Sequence, residues 1–178
     1  MLKYVSLLII AVATMCQAQE LDATLTGSRW SNLSIKYPSS VLQIAHDAPQ
    51  GDPNVHSVMD PDVLRSTDKS LELFLSGSYN ALNLPDAKSY IDQMLDWYKG
   101  TKVTYRVSKD HWAVASGTRG NKIFYYKVIA RCENGAEHCD QPESFAIAAF
   151  TYSATKRAAY NKIVAAMSQT LTAAVPAN

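Results

Sequence analysis

Alternating apolar and polar positions recur along most of this chain and predict a series of short β-strands. The pattern predicts strands at residues 29–37, 41–45, 71–76, 102–107, 111–116, 121–131 and 143–152. The first two flank the turn that begins at Pro38, which predicts an opening hairpin. The strands over residues 102–131 follow one another through short turns, so they are predicted to form an antiparallel meander.

Two of the predicted strands are apolar on both faces rather than on one. In residues 121–131, Ile123 alternates with Phe124 and Val128, and residues 143–152 show the same pattern. A strand with one face in water would carry a polar side chain at every second position. We therefore expect two central strands, each covered on both sides by helices or other segments.

Two segments carry apolar residues at helical spacing. The first covers residues 85–99, with Pro85 in its first turn and Gly100 just beyond its end. The second is predicted to be capped by Ser153 and to bury Tyr160, Ile163, Val164, Met167 and Leu171. Helices inserted between antiparallel runs indicate an α+β fold: an antiparallel sheet of about six to seven strands with two long helices packed on it.

The amino terminus has the pattern of a secretory signal peptide. Lys3 precedes an apolar run that is too short to span a bilayer, and the run ends at the small residues Cys16 and Ala18. Lipidation of Cys16 is the alternative, although the bulky Met15 before it is unfavourable for a lipoprotein signal. The predicted division is a signal peptide at residues 1–18, a flexible lead-in at residues 19–28 and a single α+β domain at residues 29–175. The predicted location is the periplasm or the extracellular medium.

Charge and composition exclude several classes of protein. The 178 residues are 47% hydrophobic and carry a formal charge of +1, and cleavage after residue 18 removes one lysine and no acid. A disordered chain would have fewer apolar residues, and a nucleic-acid binder would carry a large positive field. We expect a soluble globular protein with no nucleic-acid partner and no membrane anchor.

Two cysteines, Cys132 and Cys139, remain after cleavage of the leader, and a pair in an exported protein indicates a disulfide. Asn134 and Gly135 form a turn signal between them. The alternatives are two free thiols or a zinc site that also uses His138, but the spacing does not match known zinc sites.

The longest irregular stretch is residues 46–68, which holds His46, Asp47, Asp52 and His56. Long loops in compact domains are often functional, so these four residues are candidate binding residues. Their spacing matches no calcium or zinc pattern, and a solvated excursion with a short edge strand at Asp62–Arg65 is the simpler interpretation. We predict no metal site and no cofactor.

Tyrosines provide the second group of candidates. Tyr105, Tyr125 and Tyr126 are predicted on adjacent strands, where Tyr105 and Tyr125 would line a binding surface for a ligand or a protein. Alternatively, each ring packs inward with its hydroxyl at the rim. Lysines and arginines near these strands alternate with acids, so no phosphate-binding stripe is predicted.

Recognised catalytic motifs are missing from the sequence. It contains no G-x-S-x-G, H-E-x-x-H, P-loop or G-x-G-x-x-G pattern. His111 beside Asp110 is interpreted as a turn pair, and Asp92 with Asp96 as a solvated helix face. No catalytic residue is predicted.

The order of elements resembles the PsbP-like α/β sandwich over nearly the whole mature chain. The resemblance rests on the strand ending in Ile35-Lys36-Tyr37-Pro38, the helix at residues 85–99, the meander over residues 103–127 and the closing helix with Tyr160, Ile163 and Val164. This fold occurs in extrinsic photosystem II subunits, in a nuclear-import Ran-binding factor and in small exported bacterial proteins. The resemblance implies a small exported bacterial protein, and it transfers no functional residue.

Together these observations predict a non-enzymatic exported protein that acts as a protein-binding or envelope-assembly accessory module. Its partner would be another envelope or secreted protein. The alternative is a small-molecule or metal binder, or a hydrolase, that uses the loop at residues 46–62 over a tyrosine-lined pocket.

Overall fold

The computed structural model describes residues 19–27, 32–45, 62–109, 111–133 and 139–173. The strands are β1 (Ala23–Thr26), β2 (Leu33–Tyr37), β3 (Leu42–Ile44), β4 (Asp62–Ser66), β5 (Leu71–Tyr79), β6 (Thr101–Lys109), β7 (Trp112–Arg119), β8 (Lys122–Arg131), β9 (Ser144–Ser153) and β10 (Thr172–Ala173). The helices are α1 (Ala87–Trp97) and α2 (Arg157–Gln169), and a short 3-10 helix, Ala154–Lys156, precedes α2.

Seven strands form one antiparallel sheet in the order β3-β4-β5-β9-β8-β7-β6. Three others form a small antiparallel sheet in the order β1-β2-β10. The predicted meander is confirmed as β6, β7 and β8. The prediction of an α+β chain with two long helices and an antiparallel sheet of about seven strands is confirmed as well.

The large sheet contributes to two separate apolar cores. Side chains of α1 share one core with β7, β8 and β9, where the rings of Tyr90 and Phe145 lie 4.4 Å apart. The other core joins β5, β8 and β9 to α2 and to the small sheet. On β8, Ile123 belongs to this second core whereas Phe124 and Val128 belong to the first. This division explains why β8 and β9 are apolar on both faces.

The predicted opening hairpin is wrong. β2 pairs with β1 and β10 in the small sheet, whereas β3 pairs with β4 in the large one. The backbone N–H groups of Val41 and Leu42 both donate to the Pro38 carbonyl, at 3.0 Å each. The turn therefore carries the chain from one sheet to the other instead of closing a hairpin.

The strands β1 and β4 also differ from what the sequence predicted. The lead-in expected at residues 19–28 contains β1, because Leu25 reaches the second core and the Asp22 carboxylate accepts hydrogen bonds from Ser39 N and Oγ at 2.7 and 2.6 Å. The strand expected at an edge, β4, is internal because β3 pairs with its outer side.

The two helices begin differently, and only the cap of the second was predicted from the sequence. Asp86 caps α1, where its carboxylate accepts a hydrogen bond from Ser89 N at 2.7 Å. Ser153 does not cap α2, because the 3-10 helix intervenes and the Ser153 hydroxyl instead bonds the Thr155 hydroxyl at 2.8 Å. Both apolar stripes are buried as predicted.

The predicted disulfide between Cys132 and Cys139 is confirmed, with the two Cα atoms 5.7 Å apart. It joins the end of β8 to the segment that leads into β9. Because both sulfurs are used in the bridge, the zinc alternative with thiolate ligands is wrong.

Replacing both cysteines with serine should lower the free energy of unfolding by about 2.5 kcal/mol, because the bridge closes a loop of about eight residues in the unfolded chain. Chemical denaturation measures this loss. Thiol labelling of the unfolded, leader-free protein should find two thiols only after reduction, and two thiols labelled before reduction would contradict the bridge.

A network around Asp68 ties the β4–β5 turn to α2. The Asp68 carboxylate accepts hydrogen bonds from the hydroxyls of Ser70 and Ser66 at 2.6 and 2.7 Å, and from the Tyr160 hydroxyl at 3.2 Å. Lys156 Nζ lies 3.6 Å from the same carboxylate. The Ser70 and Ser66 hydroxyls, with smaller contributions from the Ser70 N–H and the Tyr160 hydroxyl, hold the pKa of Asp68 well below its ordinary value.

This lowered pKa predicts the pH dependence of stability. A carboxylate whose pKa is lower in the folded state stabilises the protein above its unfolded pKa and loses that contribution as the pH falls through the folded pKa. We expect unfolding midpoints in urea to decline from about pH 4 downward. Asp68→Asn should make that decline shallower, and an unchanged slope would show that the network does not couple to folding.

Candidate functional site

Strand β6 is the most exposed strand of the large sheet. Within the described residues it pairs with β7 alone, and every one of its side chains is exposed or half-buried. Tyr105 is 54% exposed, which is a large exposure for an aromatic side chain in a strand. The pairing register shifts between Val103 and Tyr105, where a β-bulge interrupts the strand.

Tyr105 points to the side of the sheet opposite α1. It pairs with Ser116 of β7, which in turn pairs with Tyr125 of β8. Ala115, next to Ser116, lies in the α1 core, so Ser116 and its two tyrosine neighbours point to the other side. Tyr125 packs edge-on against Phe150 at 5.8 Å between ring centroids.

A lysine and a tryptophan continue this surface along the strands. Lys127 Nζ donates a hydrogen bond to the Ser168 carbonyl in the last turn of α2, at 3.2 Å, and lies 5.8 Å from the centroid of the Trp112 ring. Burial lowers the pKa of Lys127. We define the aromatic face as Tyr105, Val107, Trp112, Ser116, Tyr125 and Lys127.

Ion pairs link β6 to α1 on the side of the sheet that faces this helix. Arg106 and Lys88 both pair with the Asp92 carboxylate, the latter at 2.9 Å. Asp92 was expected to be a solvated helix residue, but it links α1 to β6. This link therefore joins β6 to α1 on the side of the sheet opposite Tyr105.

The aromatic face offers side-chain groups that are suited to binding. Tyrosine and tryptophan rings offer apolar contact area, and the tyrosine hydroxyls add directional hydrogen bonds. Three or more His, Cys, Asp or Glu side chains grouped to hold a metal ion are not found among the described residues.

Among the predicted site residues, the structure describes the tyrosines but not the four residues of the long loop. Tyr105 and Tyr125 share one face but sit on strands separated by β7, and Tyr126 is buried in the opposite core. The other candidates, His46, Asp47, Asp52 and His56, lie outside the described residues, so their assembly with the tyrosines remains a prediction.

Sequence reasoning missed Trp112 and Lys127. Trp112 falls in phase with Val114 and Ser116, so the alternation of β7 places these three on one side of the strand. Lys127 did carry a signal in the sequence, because a lysine in a central, largely apolar strand needs a polar partner in the segment that packs on the strand. Here that partner is the end of α2.

Helices long and apolar enough to cross a membrane are not found in the described part of the chain. No protein-family model matches the sequence, and the comparison with curated proteins finds no match. Among solved structures, the chain is similar to the solution structure of cyanobacterial PsbP (CyanoP) from Synechocystis sp. PCC 6803, with a TM-score of 0.52 and 9% sequence identity. The similarity covers 85% of this chain and 91% of that one, and at this identity it speaks to fold alone. The chain has a PsbP-like fold.

Proposed function

We propose that this protein is an exported, non-enzymatic accessory module that binds another envelope or secreted protein through its aromatic face. The exposed Tyr105 ring on an edge strand is the observation that carries the proposal. The PsbP-like fold supports it as the kind of scaffold on which a binding surface can be built, without identifying the partner.

The geometry of the face favours protein binding on energetic grounds. Tyrosine and tryptophan are among the residues that contribute most of the binding energy at protein interfaces. Here their backbones are fixed by paired strands, and Tyr125 also packs against Phe150 of the core. A preorganised surface loses less conformational entropy when a partner binds.

Two features support export. The first eighteen residues have the pattern of a signal peptide, and a disulfide is typical of proteins that fold in an oxidising compartment. Both features fit a partner in the periplasm or outside the cell.

Affinity capture from an envelope extract, with wild-type protein and two variants, tests the proposal. Tyr105→Ala should reduce recovery of the partner by roughly tenfold or more, as expected for the loss of an interface hot spot. Tyr79→Ala is the matched control, because Tyr79 is 56% exposed but lies at the end of β5. Equal recovery with both variants would contradict the assignment of this face, and the absence of any specific partner would contradict the function.

A further inference from the structure

Positive charge is concentrated on the three strands that carry the aromatic face. β6, β7 and β8 contain seven lysines and arginines and no aspartate or glutamate, although the whole chain has 17 basic and 16 acidic residues. The acids expected to alternate with these basic residues therefore lie on other segments. α2, whose last turn contacts Lys127 of the face, also contains no acid. The strands of the face and the helix beside it thus supply no carboxylate to balance its positive charge.

Lys109, the last residue of β6, lies on the side of the sheet that carries the aromatic face. It pairs across the strands with Trp112, which belongs to this face. Opposed residues of an antiparallel pair share one side of the sheet. The Lys109 side chain is exposed, and within the described residues it has no ion-pair partner.

Lys102, near the other end of β6, lies on the same side. It pairs with Thr118 of β7, whose neighbour Arg119 places its guanidinium carbon 3.9 Å from the centroid of the Tyr98 ring in the α1 core. Because successive side chains of a strand alternate, Thr118 and Lys102 point away from α1. Lys102 is exposed as well, and the described part of the chain provides no ion-pair partner for it.

The two lysines stand on either side of Tyr105 along the edge strand. Extended strand separates Lys102 from Lys109, so their Cα atoms lie on the order of 20 Å apart. The ring of Tyr105, 54% exposed, and the half-buried Val107 lie between them. β6 therefore presents an apolar and aromatic stretch with a positive charge at each end.

We propose that the partner contacts the aromatic face through an extended acidic segment that lies along β6, with carboxylates at the two lysines and an apolar side chain against Tyr105. This inference rests on the proposed function and adds the chemistry of the partner. Opposite charge across an interface speeds encounter and disfavours wrong partners. A second copy of this chain is a poor occupant, because two β6 strands side by side would bring the lysines of both copies together.

An NMR titration of the folded protein with synthetic peptides tests this charge preference. The acidic probe has about ten residues, enough to reach both lysines when extended, with glutamates separated by valine, tyrosine and serine. The basic probe has the same sequence with lysine in place of every glutamate. The acidic peptide should shift the β6 amides and the Trp112 indole N–H, and its affinity should fall as salt is added. The basic peptide should leave these signals unchanged.

Two double variants test the role of the lysines. Lys102→Gln/Lys109→Gln should weaken binding of the acidic peptide by about fivefold or more, because two exposed ion pairs are lost. The matched control Lys36→Gln/Lys69→Gln removes the same charge from exposed positions on β2 and in the β4–β5 turn, and it should bind the peptide as the wild type does. Unchanged far-ultraviolet circular dichroism would show that both variants fold.

Equal binding of the two peptides, equal weakening by the two double variants, or no binding of the acidic peptide would overturn the proposal. Binding to phosphatidylcholine vesicles that contain phosphatidylglycerol, lost in Lys102→Gln/Lys109→Gln, would assign the lysines to a membrane surface and would overturn it too. The affinity capture with Tyr105→Ala reports on the face itself. Loss of the partner in that experiment, together with a failure here, would contradict the acidic segment and leave the proposed function standing.

Discussion

Replacing Gly117 with alanine should destabilise the protein and detach β6 from the sheet. A Cβ atom at this position would overlap the carbonyl oxygen of Lys102 and lie 2.9 Å from the Cα atom of Val103. Both obstacles are backbone, so β6 itself must move. Overpacking of this kind costs about 1–3 kcal/mol and occasionally more. Chemical denaturation should show the loss, and hydrogen exchange should show faster exchange of the β6 amides.

Gly120→Ala is the control for this prediction. Gly120 has φ +59°, but a Cβ atom there would meet nothing within 4 Å, so alanine costs about 1–2 kcal/mol through backbone strain alone. Exchange of the β6 amides should stay slow in this variant. If β6 exchanges equally fast in both variants, the close approach at Gly117 does not position the edge strand.

Replacing Phe150 with alanine should cost more stability than either glycine substitution. Phe150 is fully buried in the core between the large sheet, α2 and the small sheet. Truncation of a phenylalanine in such a site costs about 3–5 kcal/mol, because it removes apolar burial and leaves a cavity. The free energy of unfolding in urea measures the loss. A loss below about 1 kcal/mol would contradict the burial assigned to this side chain.

Smaller truncations test whether the sheet really separates two cores. Ile147 lies in the core that contains α1, and Ile35 lies in the core that contains α2. Replacing either residue with valine should lower the free energy of unfolding by about 0.5–1.5 kcal/mol. Residues without shared contacts have additive effects, so the double variant should lose the sum to within about 0.5 kcal/mol. A larger deviation would mean that the two cores are coupled through the sheet.

Local patterns predicted the parts of the fold that depend on neighbouring residues. The strands β5 to β9 and the apolar stripe of α1 follow from apolar runs and side-chain periodicity, which each segment carries by itself. The pairing of β2 cannot be predicted from periodicity. Its apolar side chains Leu33 and Ile35 alternate in the same way whichever sheet the strand joins. The two residues of β10 are too few to produce a pattern.

The candidate functional residues also divide into those that a local pattern predicts and those that only the packing of the fold brings together. Tyr105 and Tyr125 could be placed on one face from the meander alone, because two short turns bring their strands to either side of β7. The contact between Lys127 and the Ser168 carbonyl could not be predicted, because the two residues are distant in the sequence and meet only where α2 packs against the sheet.

Site-specific photocrosslinking tests the central claim most directly. A benzophenone side chain placed at position 105 in the producing cell should crosslink to one partner protein, and the same group at position 79 should not. Crosslinking to the same protein from both positions, or from position 79 alone, would contradict the assignment of the aromatic face as the binding surface.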